Sequence, residues 1–272
     1  MSRIERLELY HVSMPLKYHF TTSFGREDAI ESVVLRMVRD DADGWGESSP
    51  LKAPAYSAEY AGGVFAVVRD WLAPLVLGKN YSSADELQQA MSGIKGNNFA
   101  KAAIDSAWWE CDAKAHQLPL WRFLGGDSPT VAVGADFGIM ESIDYLLETI
   151  QGAVDSGFTR VKLKYRPGWD LTMIESARKR FPDMVFHVDC NSAYTISDFD
   201  MLKELDHYNL AMIEQPLAND DMIDHAALQK QISTPICLDE SITSIDKARK
   251  ALSIGACGWV NIKYGRVGGI TN

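Results

Sequence analysis

Cysteine is scarce in this chain, with four in 272 residues: Cys111, Cys190, Cys237 and Cys257. No two stand in a CxxC pair, which removes the spacing of a zinc knuckle and of a disulfide framework. Each lies in or beside an apolar run, as a reduced, buried cysteine does. Basic charge is also short: 27 Lys and Arg face 37 Asp and Glu, for a net charge of −10. That balance argues against a nucleic-acid partner, because phosphate binding needs clustered Lys and Arg. It argues equally against docking on an anionic membrane surface. No long apolar run is present, so no membrane span is expected. Met1 to Arg6 lacks the apolar centre of a secretory signal, and a cytoplasmic location is expected.

What the chain does have is a charge that returns at a nearly constant interval. Lys164, Asp189, Glu214, Asp239 and Lys263 follow one another by 24 or 25 residues, and each ends a short apolar run. One strand and one helix per period of this length is what a parallel (β/α) barrel requires, and its chemistry sits at the C-terminal strand ends. Helical patterns fill the intervals at roughly Ser142–Ser156, Asp170–Arg180, Ser197–Leu205, Asp221–Gln231 and Ser244–Ile254. The barrel pattern starts at Val131–Gly134 and supplies six strands, where a closed barrel has about eight. The expected fold is α/β, a TIM-like barrel of modified (β/α)7β type that is C-terminally incomplete. A shorter, unusual fold is the other possibility.

Ahead of the barrel, Ile4–Met14 and Glu31–Arg39 read as strands, followed by a turn at Asp41–Gly44 and a return strand. Phe20–Gly25 reads as a loop. Helical patterns cover Ala58–Leu72, Ser83–Met91 and Asn98–His116. Residues 1–128 are expected to form an α+β capping domain and 129–272 the catalytic barrel, with a linker at Gly125–Pro129.

Asp189, Glu214 and Asp239 are expected on adjacent strands at one height. Three close carboxylates do not all stay ionised without a cation. An all-oxygen donor set suits a hard metal, Mg²⁺ first and Mn²⁺ second. Lys162 and Lys164 share a strand face, and crowded buried lysines lose the charged form more easily, which makes a usable base. A carboxylate substrate held between Lys164 and Lys263 would present opposite faces to two amines. Proton removal next to that carboxylate gives an enediolate, leading to racemisation or to loss of a β-leaving group. Asn191, Gln215 and Glu240 are expected to support the ligands from behind. Gly265–Gly269 is only a loose match to a phosphate loop and reads as a strand-to-helix turn.

The motifs Lys162-Leu-Lys164, Asp189-Cys-Asn191, Glu214-Gln-Pro216, Asp239-Glu-Ser241 and Asn261-Ile-Lys263 together resemble the enolase superfamily, in its muconate-lactonizing-enzyme-like subgroup. Phe20–Gly25, Ile94–Ala103 and Asn261–Gly269 look most like o-succinylbenzoate synthases and N-succinylamino acid racemases, although proline is expected where Tyr264 stands. The resemblance implies Mg²⁺ on Asp189, Glu214 and Asp239, Lys164 as the base and Lys162 tuning it. It implies Lys263 as a stabilising cation in a synthase, or as the second acid/base in a racemase. Thr21, Ser23 and Phe24, with Tyr56 in a second loop, would close over a small carboxylate substrate. The implied activity is dehydration to o-succinylbenzoate in menaquinone synthesis by a homo-oligomeric enzyme. The alternatives are N-succinylamino acid racemase, dipeptide epimerase or cycloisomerase and, from another class, an inactive barrel fragment that binds metal or self-associates.

Overall fold

The computed structural model describes all 272 residues. The chain forms two compact units. One comprises Met1–Lys17, Asp28–Val131 and Ile262–Asn272; the other comprises Tyr18–Glu27 and Ala132–Asn261.

β1 (Ser2–Thr21), β2 (Arg26–Arg39), β3 (Asp43–Ser48) and β4 (Asn80–Tyr81) make a sheet ordered β3-β2-β1-β4, which lies in the first unit apart from residues 18–21 of β1 and 26–27 of β2. On β2, Val33, Leu35, Met37 and Arg39 are buried in the strict alternation of a half-covered strand. The two inner strands, β1 and β2, run longer than the apolar alternation suggests, because strand conformation continues past the buried face. Helices follow at Ala61–Val67, Ala73–Val76, Ala84–Met91, Asn98–Ala115 and Leu120–Phe123. The helix expected over Ala58–Leu72 widens into a π-turn at Val68–Leu72, just before Pro74. Proline cannot donate the next backbone bond, and a wider turn accommodates that loss.

The long helix Asn98–Ala115 lies directly on β3. A Cβ on Gly44 would meet Ala107 O and Cys111 N, and one on Gly46 would meet Ala103 O, so the two backbones approach to a distance only glycine permits. Beneath them Arg39 is almost fully buried. Its guanidinium lies 4.2 Å from the Trp108 ring centroid and pairs with Asp41 and Asp112.

The second unit contains β5 (Ala135–Phe137), β6 (Arg160–Lys164), β7 (Val185–Asp189), β8 (Ile213–Glu214), β9 (Ile236–Leu238) and β10 (Trp259–Val260). They form one six-stranded parallel sheet in chain order, with helices between successive strands. This is the alternation read from the 25-residue period, and together with the N-terminal sheet it fits a capping domain and a barrel. Ser142 Oγ accepts from Tyr145 N, and Ser244 Oγ from Lys247 N; each caps the helix that follows it. One strand is displaced from its expected place. β5 pairs from Ala135 onward with Val161, whereas Val131 and Val133 of the expected strand are exposed. Their alternation has no sheet face to cover.

The expected linker at Gly125–Pro129 lies just before the Val131/Ala132 division. Two segments depart from a simple two-part chain. Tyr18–Glu27 belongs with the second unit, where Ile139 N donates to Thr21 O at 2.8 Å. Ile262–Asn272 belongs with the first, where Asn98 Nδ2 donates to Arg266 O at 2.8 Å.

Candidate active site

Parallel pairing places Lys164 opposite Asp189 and Asp189 opposite Glu214. Three charges therefore form one row across β6, β7 and β8. The next strand is staggered. Glu214 pairs with Cys237, so Asp239 lies two residues beyond the row, not at one height with the others. A shift of two preserves the facing of alternate side chains, and such a stagger is what a closing barrel imposes.

The two lysines point the same way, as their i, i+2 spacing requires. Lys162 Nζ bridges Asp189 Oδ2 at 2.7 Å and Glu214 Oε2 at 2.9 Å. Lys164 Nζ donates to Asp189 Oδ2 at 2.6 Å and to Asn191 Oδ1 at 3.0 Å, and lies 5.7 Å from the Phe20 ring centroid. Asn191 is held from several sides. Its backbone N–H donates to Asp189 Oδ1, its Nδ2 to Glu240 Oε1, and its carbonyl accepts from Ser23 Oγ. It does so at φ 43°, a left-handed conformation unusual outside glycine. Of the expected loop residues, Ser23 thus reaches the charged cluster through the Asn191 carbonyl. Phe24 lines a hollow of about 430 Å³ with Arg166, Asn191 and Ser192, and Thr21 ends β1.

Gln215 is fully buried and ties two strand ends together. Its Oε1 accepts from Asp239 N and Ser241 N, while its Nε2 donates to Ser241 Oγ. Asn261 contributes a contact that residue-type spacing did not single out: its Nδ2 donates to Glu214 Oε1 at 2.7 Å. Lys263 and Tyr56 belong to the first unit. There Lys263 Nζ donates to Tyr56 Oη at 2.6 Å, and Arg266 Nη1 reaches the same hydroxyl.

At Lys162 the electrostatics depart from the expectation of an easily discharged lysine. Burial opposes the Lys162 charge, but Asp189 and Glu214 outweigh it and lift its pKa above the ordinary lysine value. Burial likewise opposes the Asp189 charge, and Lys164 and Lys162 outweigh it, holding this carboxyl well below the usual range. Glu214 is raised, by burial and then by Asp189. Glu240 is pushed up to about 7, by burial and then by Asp239 and Asp189, and its Oε2 is buried without a hydrogen-bond partner. No three His, Cys, Asp or Glu side chains converge into a ready metal cluster in this arrangement; the Lys162 ammonium stands between two of the acids.

A buried histidine stabilises the loop after Glu214. His225 Nε2 accepts from Leu217 N, so its Nδ1–H donates to Asp221 O. Burial, only partly opposed by that second bond, lowers its pKa. The folded state therefore takes up a proton less readily than the unfolded chain, whose histidine titrates near about 6.5. Stability contributed by His225 is present above that pH and declines below it. In urea unfolding, the advantage of the wild type over His225→Asn should shrink between pH 7.5 and 5; a constant difference would contradict this.

The profile described as "Mandelate racemase / muconate lactonizing enzyme, N-terminal domain" matches residues 5–125, and the one described as "Enolase C-terminal domain-like" matches 145–272. The chain belongs to the mandelate racemase/muconate lactonizing enzyme family. It is therefore an enzyme of the enolase superfamily. Among relatives in this family, the o-succinylbenzoate synthase of Geobacillus stearothermophilus is 46% identical over 98% of this chain and 72% of its own length. The N-succinylamino acid racemase of Thermus thermophilus is 40% identical over the same shares. An enolase-superfamily structure from Listeria innocua superposes with a TM-score of 0.95 at 36% identity, covering all of this chain and 73% of that one. A dipeptide epimerase from Enterococcus faecalis, complexed with Mg and a dipeptide, gives 0.91 at 25% identity over 99% and 77%. No helix is long and apolar enough to cross a membrane.

Proposed function

We propose that this enzyme dehydrates a succinyl-cyclohexadiene carboxylate to o-succinylbenzoate, a step toward menaquinone, by removing the proton α to a carboxylate. The observation that carries this reading is the similarity, over nearly the whole chain, to several curated o-succinylbenzoate synthases. A second reading, N-succinylamino acid racemase, is supported by relatives of that name from two organisms at 40% identity. We place the enzyme in the cytoplasm, acting as a homo-oligomer on a free small molecule.

The residues present fit a hard divalent cation, Mg²⁺ first. Four carboxyls are buried at these strand ends: Asp189 and Glu214 pair with Lys162 and Lys164, Asp239 and Glu240 follow on the next strand, and Glu240 Oε2 has no hydrogen-bond partner. Asp189, Glu214 and Asp239 would hold the ion. When bound, it supplies concentrated positive charge where negative charge develops on the substrate carboxylate. Lys164 is the proposed base. Asp189 and Asn191 orient its Nζ, and the Phe20 ring covers it. As the neutral amine, its Nζ takes the α-proton and the C–H electron pair moves onto the substrate carboxylate as an enediolate; in the dehydration that pair then forms the new double bond as the β C–O bond breaks, and the proton held on Nζ leaves with the hydroxyl as water. Lys162, fixed between Asp189 and Glu214, keeps positive charge beside that base. Lys263 is the second lysine, a stabilising cation in the synthase and the opposite-face acid/base in the racemase. Thr21, Ser23, Phe24 and Tyr56 are the proposed cap-loop contacts, with Asn191, Gln215 and Glu240 supporting the acids from behind.

Dehydration followed by ultraviolet absorbance, with and without Mg²⁺, tests this directly. Mg²⁺-dependent turnover is the expected result. Absence of dehydration with Mg²⁺-dependent α-hydrogen exchange on N-succinylamino acids would replace the synthase by the racemase. Neither reaction, but a Mg²⁺-raised melting temperature, would keep the metal site and overturn the substrate. Neither activity nor a metal effect would leave a non-catalytic barrel fragment.

A further inference from the structure

One charged residue on the long helix has no role in the scheme above. Asp105 lies on the buried face of Asn98–Ala115, among Ala102, Ile104 and Trp108, and has no exposed surface. A buried carboxyl left unbonded is strongly unfavourable. Asp105 has four donors in hydrogen-bonding distance, and none of them is a cation. Oδ2 accepts from Ile270 N at 2.6 Å and Thr271 N at 3.1 Å; Oδ1 accepts from Gln88 Nε2 at 2.8 Å and from Thr271 Oγ1. Two consecutive backbone amides of the segment that follows Lys263 therefore converge on one oxygen.

The segment is built for this grip. Gly268 and Gly269 take φ +94° and +130°, and a Cβ on Gly269 would fall on the Asp105 carboxyl, so only glycine lets the backbone lie there. Gln88 Nε2 also donates to Gly268 O at 2.7 Å, and Trp109 Nε1 to Thr271 Oγ1 at 2.8 Å. From the clamp back to the lysine the chain is a single helical turn, Tyr264–Val267. Lys263 is its N-cap residue: Val267 N donates to Lys263 O, and Gly269 N to Tyr264 O. Lys263 thus sits at one end of a short rigid turn whose other end is clamped by Asp105.

We infer that Asp105 is a positioning residue for Lys263, acting through the Gly268–Thr271 clamp. The functional half of the inference rests on the second reading above, the racemase, in which Lys164 and Lys263 transfer protons on opposite faces of the substrate. Asp105→Asn keeps the shape but puts an amide NH₂ where one acceptor oxygen stood. Exchange of the α-hydrogen of each N-succinylamino acid enantiomer in D₂O is the assay, with Lys164→Ala and Lys263→Ala identifying which enantiomer each lysine serves. Asp105→Asn should slow the Lys263-dependent enantiomer by up to about 10²-fold, the scale of an ångström-sized misplacement, and the other far less. KM for both should change little. Equal slowing of both enantiomers would overturn the inference, because general loss of structure affects both lysines.

Amide hydrogen exchange judges the clamp independently of activity. In Asp105→Asn, and in Gly269→Ala as a second variant, protection should fall across residues 264–271 while Val33–Met37 of β2 stay protected. Unchanged protection at 264–271 would overturn the clamp. A wild type that exchanges neither enantiomer would remove the racemase reading and leave the dehydration standing, and amide exchange would still decide whether Asp105 holds this segment.

Discussion

Lys164→Ala is expected to lower kcat by about 10²–10⁴-fold, the contribution of a positioned general base. The argument is geometric. Lys164 is the buried lysine whose Nζ is fixed by two acceptors, Asp189 Oδ2 at 2.6 Å and Asn191 Oδ1 at 3.0 Å. Alanine deletes the amine without touching the carboxylates that would hold the ion. A more informative variant is Lys164→Arg. Arginine keeps a positive charge beside Asp189, but a guanidinium does not lose its proton in this pH range and cannot act as a base. Lys164→Arg should therefore be as inactive as Lys164→Ala while staying closer to wild type in urea unfolding. Appreciable turnover by Lys164→Arg would mean that the residue acts through its charge alone and that the base is elsewhere.

Removing the charge of Asp189 should cost about 3–5 kcal/mol of stability, the range for breaking a buried ion pair from one side. Asp189 is 1% exposed as a side chain, and it faces Lys164 at 7% and Lys162 at 18%. In Asp189→Asn both ammonium groups stay close together, with Glu214 as the remaining partner of Lys162 alone. The urea midpoint should fall with an unchanged m-value. Breaking the exposed Lys250–Asp246 pair should leave it almost unmoved. The same carboxyl gives a sign for acid. Its folded pKa is depressed, so its stabilisation is present above about pH 3.9 and is lost as the pH falls below that value. A loss in Asp189→Asn no larger than that of the exposed pair would mean that water reaches the cluster.

Much of this was legible in the chain. A period of 24 or 25 residues is long-range information carried by one-dimensional spacing, because each barrel unit must span the same height. It placed β6 to β9 and singled out Lys164, Asp189, Glu214, Asp239 and Lys263. The i, i+2 rule put both lysines on one face, and they do meet at a single oxygen of Asp189. Val131–Gly134 had the right alternation for a strand, but alternation does not reveal whether a neighbour exists to pair with it, and pairing begins only at Ala135.

The sequence by itself determined the order of the strands, the charges that end β6, β7 and β8, and the family, because periodicity and residue type survive without distances. Only the tertiary structure decided the rest. It set the two-residue stagger of Asp239, which depends on the register between β8 and β9. It gave Lys162 to two carboxylates, so that their attraction exceeds the effect of burial. It also brought Ile270 and Thr271 onto Asp105, 165 and 166 positions away along the chain. Asp105 could not be singled out from the sequence, because its partners include two backbone amides, which every residue type except proline carries and which no residue pattern can therefore identify.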